Sequence, residues 1–169
     1  MADYDSLQSS RRENLIEHVF IGEVLRHLWC MGVREVEVLR SETDAAGYDI
    51  VIEVGRISRH IQLKSSARGA KTSRQHVHIA LGNKPSGCLL WVRFDSSTMT
   101  LGPFLWFGGD PGKPLRDITD FPIAKHTKGN AEGEKTERKN IRVINKGQFT
   151  EIATISDVIE RLFGPQMGQ

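Results

Sequence analysis

Cysteine is scarce in this sequence of 169 residues, which has only Cys30 in "LWCMG" and Cys88 in "GCLLW". Both sit among apolar residues, which argues against a disulfide framework or a thiolate metal pair and fits buried, reduced thiols. No apolar run approaches the roughly 20 residues that a membrane span needs. The start, "MADYDSLQSSRRENL", has no apolar stretch behind its basic pair, so it reads as neither secretory signal nor anchor. The expectation is a cytoplasmic protein with no membrane partner. Charge of one sign is lacking too. Lys and Arg total 23 against 21 Asp and Glu, a formal net charge of +2, too small to announce a nucleic-acid binder unless the charge is concentrated locally. The length suits one compact domain, and no internal repeat divides it.

Periodicity of two kinds is present. In residues 12–32, Leu15, Ile16, Val19, Phe20, Val24, Leu25 and Leu28 recur at helical intervals, and Gly32 can end that helix as a left-handed cap. "REVEVLR" at 34–40 alternates as a strand does, and "HVHIALG", "GCLLWVRFD", "TMTLGPFLWFGG" and "IRVINK" are further strand candidates between Gly, Pro, Asn and Asp punctuation. "TISDVIERLFGP" predicts a short amphipathic helix, with Thr154 or Ser156 as N-cap and Gly164-Pro165 as the stop. This order predicts an α/β (α+β) fold, a central mixed β-sheet flanked by helices. The expected limits are a flexible N-terminus at 1–11, a single domain at 12–164 with an exposed charged loop at about 126–140, and a tail at 165–169. Trp91, Phe104 and Trp106 read better as core than as a base-stacking platform. His76 and His78 share a strand face but lack the spaced cysteines or second pair of a zinc site.

Residues 47–66, "GYDIVIEVGRISRHIQLKSS", carry the chemistry. "YDIVIEV" and "ISRHIQLK" are separated by Gly55-Arg56, and glycine at the first central position is what a type II′ two-residue turn requires. That turn sets Val54 against Ile57 and, at the far end, Asp49 against Gln62. Period-two alternation puts Ile50, Ile52, Val54, Ile57, Ile61 and Leu63 on one face with Arg59 near the turn, and Asp49, Gln62 and Lys64 together on the other. A carboxylate and an amide oxygen suit a hard divalent cation, and the ammonium beside them can orient or deprotonate an attacking water. An ordinary cross-strand ion pair between Asp49 and Lys64, with Gln62 solvated, accounts for the same pattern.

A helix bearing glutamate, a strand, then "GYDIVIE" and "IQLKSS" over about residues 12–66 resembles the PD-(D/E)xK nuclease superfamily. These stretches look especially like its Gln-x-Lys branch, which includes Mrr-like restriction enzymes and related uncharacterised bacterial proteins. The resemblance implies a restriction endonuclease-like core. It implies a metal-dependent nuclease that hydrolyses phosphodiester bonds of DNA with magnesium, or manganese in its place, in defence against foreign DNA or in repair. It makes Asp49 the metal-binding aspartate, with Tyr48 where the family name has proline. Gln62 takes the second acidic position, the backbone carbonyl of Leu63 joins the metal shell, and Lys64 positions the water. A first-helix glutamate completes such sites. Glu23 is the preferred candidate and Glu17 the other. Arg68, Lys71 and Arg74 in "SSARGAKTSRQHVH" are the expected phosphate contacts. Lys125, Lys128, Lys135, Arg138 and Lys139 can add to that patch, but Glu132, Glu134 and Glu137 dilute it, and the segment reads rather as a solvated loop. The expected partner is DNA, although these residues do not separate it from RNA, and cutting of two strands would favour a homodimer. The alternative is a catalytically inactive module that keeps the nuclease fold and binds nucleic acid or a protein partner.

Overall fold

The computed structural model describes the backbone of residues 2–126, 133 and 135–165, and the side chains among these except at 2–7 and 44. The fold is a central mixed sheet flanked by helices, as the element order predicts, with a second small sheet added. Six strands form the main sheet: β1 (Val36–Arg40), β2 (Ile50–Val54), β3 (Ile57–Ala67), β5 (Gly87–Phe94), β6 (Leu101–Gly108) and β9 (Thr150–Ile152), adjacent in that order. β3 and β5 run parallel, and every other neighbouring pair in this sheet is antiparallel. β4 (Arg74–His78), β8 (Glu137–Asn145) and β7 (Ile123–Lys125) make the second sheet, with β8 in the middle.

The helices are α1 (Ala2–Cys30) and α2 (Ile155–Phe163). Ile16, Phe20, Val24 and Leu28 of α1 are fully buried, spaced so that one stripe of the helix faces inward. They share a core with Ile50, Ile52 and Ile61 of the hairpin, with Cys88, Leu90 and Val92 of β5, and with Val158 and Leu162 of α2. Burying each such aliphatic side chain contributes about 1.5–3 kcal/mol. Alternate residues of the same strands, Leu89 and Phe107, join Val77, Leu81 and Ile144 in a second core on the opposite face, beneath the three-stranded sheet. Trp91, Phe104 and Trp106 are buried, as expected.

Several boundaries differ from expectation. α1 begins at Ala2, so residues 2–11 are helical where a flexible N-terminus was expected. No Gly or Pro interrupts the chain before Gly22, and extending an established helix adds one hydrogen bond per residue fixed. Gly32, with φ +86°, ends α1 as predicted, and the Val33 amide bonds back to the Leu28 carbonyl. "HVHIALG" is a strand only to His78 and then a 3-10 turn over Ile79–Asn83. Of the expected charged loop, 127–132 and 134 lie outside the described residues, and 137–140 belong to β8. There Arg138 pairs with Ala124 and Glu137 with Lys125, since ladder hydrogen bonds need no apolar side chains. Cys88 is buried, and that burial pushes its thiol up to about 12, but Cys30 is exposed, on the outer side of the last turn of α1. The Thr154 hydroxyl caps α2 by accepting from the Asp157 amide, and Gly164 closes it by donating to the Glu160 carbonyl.

Candidate functional site

The β2–β3 hairpin has the predicted register: Val54 against Ile57, Ile52 against Arg59 and Ile50 against Ile61. Gly55 has φ +59° while Arg56 stays at negative φ, the signature of a type II′ turn. Beyond the strand proper, the Asp49 amide donates to the Ile61 carbonyl at 2.9 Å, and the Leu63 amide donates to Asp49 Oδ2 at 2.6 Å. The aspartate is thereby fixed to the strand that carries Gln62 and Lys64. Gly47 makes the approach to it possible. At φ +78°, a Cβ there would lie 2.7 Å from the Leu81 amide nitrogen, so a side chain would push "GYD" away from the turn after β4.

Asp49, Gln62, Leu63 and Lys64 line one cavity of about 740 Å³. Its other walls are α1, with Glu13, Asn14 and Glu17, the end of β1 with Arg40, and the β4–β8 sheet with Arg74, His76, His78 and Arg138. Gln62 is buried, and its Oε1 has no hydrogen-bond partner among the described residues. A buried carbonyl oxygen left without a donor is costly unless something satisfies it, and a hard cation beside a carboxylate does so. The residues therefore fit a divalent ion. Among the described residues no three His, Cys, Asp or Glu side chains stand at metal-binding spacing, so such an ion would depend on amide and backbone oxygens as well as carboxylates.

Of the two helix glutamates considered, Glu17 lines the cavity and the preferred Glu23 does not, while Glu13, one turn earlier on α1, lines it as well. Six residues separate Glu17 from Glu23, about 9 Å along the helix axis, and only the earlier turns of α1 lie over the open end of the hairpin. Glu17 Oε1 accepts from Arg40 Nε at 2.5 Å, and Arg40 also donates to Asn14 Oδ1 at 2.9 Å. Of the expected phosphate contacts only Arg74 reaches the cavity. Arg68 is engaged elsewhere, donating to the Gly102 carbonyl at 2.7 Å and standing 3.9 Å from Asp95, and Lys71 is exposed and lies off the cavity lining. Arg138, read from sequence as part of a solvated loop, lines the cavity because β8 pairs beside β4.

No protein-family model and no curated protein matches the chain. Among the described residues no helix is long and apolar enough to cross a membrane.

The histidines of the region differ in setting. His78 Nδ1 accepts from the Ala80 amide at 3.0 Å, so a neutral ring carries its proton on Nε2 and offers that N–H as a donor. His76 is held below its ordinary value by desolvation and by Arg138, Lys64 and Arg74. His60, edge-on to Tyr48 with ring centroids 5.1 Å apart, is likewise lowered by burial and by Lys84, and its Nδ1 has no partner among the described residues.

A pH dependence of stability follows. A histidine with a folded pKa below the unfolded value near 6.5 binds its proton more weakly in the native state. Its stabilising effect is therefore complete above that value and is lost as pH falls through it. The melting temperature is expected to drop on acidification below pH 6.5. His60→Phe, which keeps the ring contact with Tyr48 but cannot titrate, is expected to flatten that acid limb in thermal melts. A limb of unchanged steepness would assign the effect to other groups.

Proposed function

We propose that the protein is a metal-dependent nuclease of the PD-(D/E)xK type, in its Gln-x-Lys branch, hydrolysing phosphodiester bonds of DNA. Defence against foreign DNA, or repair, is the matching role. One observation carries this reading: Asp49, Gln62, Leu63 and Lys64 line a single cavity, and the Gln62 amide oxygen is buried without a hydrogen-bond partner among the described residues. Magnesium, or manganese in its place, would be held by Asp49, Gln62 Oε1 and the Leu63 backbone, with Glu17 a helix carboxylate at the same cavity. Such an ion would neutralise phosphate charge and acidify a bound water. Lys64 lies one strand period beyond Gln62, where its ammonium can orient the attacking water and offset charge gathering on the phosphate. Asp49, tethered by the Leu63 amide, holds its carboxylate in a fixed orientation without reorganisation.

A second reading, an inactive module that binds nucleic acid or a partner, draws on a specific observation. Gln62 removes one negative charge from the cation's shell, and Glu17 is already paired with Arg40. The two readings separate on cleavage. Plasmid or oligonucleotide DNA incubated with the purified chain and magnesium is expected to be cut, with cutting stopped by EDTA and abolished in Asp49→Ala. Binding without cleavage across magnesium and manganese would favour the inactive module, and cleavage that survives Asp49→Ala would remove the site assignment.

A further inference from the structure

The cavity is electrically divided. Glu13, Glu17 and Asp49 come from α1 and the start of β2, whereas Arg74, His76 and His78 come from β4 and Arg138 from β8. Lys64 lines the same cavity and is near enough to His76 to help lower its pKa together with Arg138 and Arg74. The ion pairs formed among the described residues are Arg40 with Glu17 and Arg68 with Asp95, so Lys64, Arg74 and Arg138 have no carboxylate partner there. Three cations lining one cavity with no ion-pair partner among the described residues, beside a histidine whose Nε2 can donate, make an anion-binding wall.

We propose that the β4–β8 wall is a subsite for a terminal phosphate of a nucleic-acid strand, through which the cavity selects phosphorylated strand ends. This deepens the nuclease reading and rests on it for the cutting step, although phosphate capture is measurable without cleavage. Charge and size both support a terminal group over an internal one. A terminal phosphate carries roughly −1.5 to −2 at neutral pH, while a bridging diester carries a single charge, so a cluster of unpaired cations discriminates in favour of the former. A volume of about 740 Å³ is on the scale of one or two nucleotides, which suits the end of a strand. Captured at Arg74 and Arg138, the terminal phosphate would place the adjoining linkage toward Lys64, Asp49 and Gln62 in the same cavity.

The decisive measurement is fluorescence anisotropy of short single-stranded oligonucleotides in EDTA, identical except for a 5′-phosphate, a 3′-phosphate or hydroxyls at both ends. One phosphorylated form is expected to bind about tenfold or more tightly than the hydroxyl form. That preference is expected to vanish in Arg74→Gln combined with Arg138→Gln, both exposed positions where the fold should tolerate the change. Millimolar inorganic phosphate should reduce the preference without matching the affinity of the phosphorylated strand. Equal affinity for all three strands would overturn the proposal, as would a preference that survives the double substitution or a subsite that inorganic phosphate fills as tightly as the strand does. Failure of the nuclease reading would look different: no cleavage with magnesium, while the phosphate preference in EDTA stands.

Discussion

On the proposed nuclease reading, Lys64→Met is expected to lower the single-turnover rate of DNA cleavage by about 10²–10⁴-fold, the range measured when a proton-handling or charge-stabilising group is removed from an active site. Lys64 belongs to β3, whose register is fixed on both sides, against β2 by the hairpin and against β5 through the Lys64–Trp91 pairing. Its ammonium is therefore delivered to the cavity by rigid backbone and not by a loop. With no ion pair among the described residues, its removal leaves no carboxylate stranded. Methionine keeps the length of the stem, and the position is only half-buried, so the melting temperature should stay within the small range of surface substitutions, about 0.5 kcal/mol in stability. The loss should fall on the cleavage step and leave metal binding largely intact, because an ammonium is not a ligand. Cleavage by Lys64→Met at the wild-type rate would remove Lys64 from the reaction and, with it, the main reason for reading Gln62 and Lys64 as a functional pair.

How much of this was legible in the sequence depends on distance along the chain. The hairpin was readable because its information is local: period two assigns the faces, and Gly55 fixes the turn and so the register that sets Asp49 beside β3. The buried stripe of α1 was readable for the same reason. The choice between Glu17 and Glu23 was not, since both flank that stripe, and only the position of α1 along the sheet decides which lies over the open end of the hairpin. "LWCMG" looked uniformly apolar, yet successive helical residues point about 100° apart, so Leu28 is buried while Trp29 and Cys30 face outward. The second sheet left the weakest trace. β7 is three residues long, too short for a pattern, and β4 pairs with a strand more than sixty residues later, which no local signal records. The place of Arg138 in β8 at the cavity was illegible for that reason, since it depends on a partner strand and not on its neighbours in "EKTERKN".

Arg59→Ala is expected to cost about 3–5 kcal/mol of folding stability, the largest structural effect of any substitution considered, read as a fall in the urea midpoint at unchanged slope. Arg59 lies on the core face of β3 with no solvent exposure. Its Nε donates to the Leu162 carbonyl at 2.7 Å, Nη2 to the carbonyls of Gly109 at 2.7 Å and Arg161 at 3.2 Å, and Nη1 to the Ser86 hydroxyl at 3.2 Å. Two of those carbonyls belong to the last turn of α2, where the helix dipole is negative, so the cation both satisfies orphan acceptors and meets a favourable field. The Trp106 ring lies 5.3 Å from the guanidinium carbon and adds a cation–π contact. Burial pulls the Arg59 pKa down, with Cys88 and Asp110 acting the other way, yet a guanidinium starts so far above neutrality that it keeps its proton. Truncation to alanine removes every donor at once and opens a cavity beside Trp106, so unsatisfied carbonyls and lost packing add. Arg59→Met separates the two contributions: it refills much of the volume but restores no donor. If the hydrogen bonds dominate, methionine should recover less than half of the alanine loss. Full recovery would show that volume alone holds α2 against the sheet and that the buried charge is dispensable for stability.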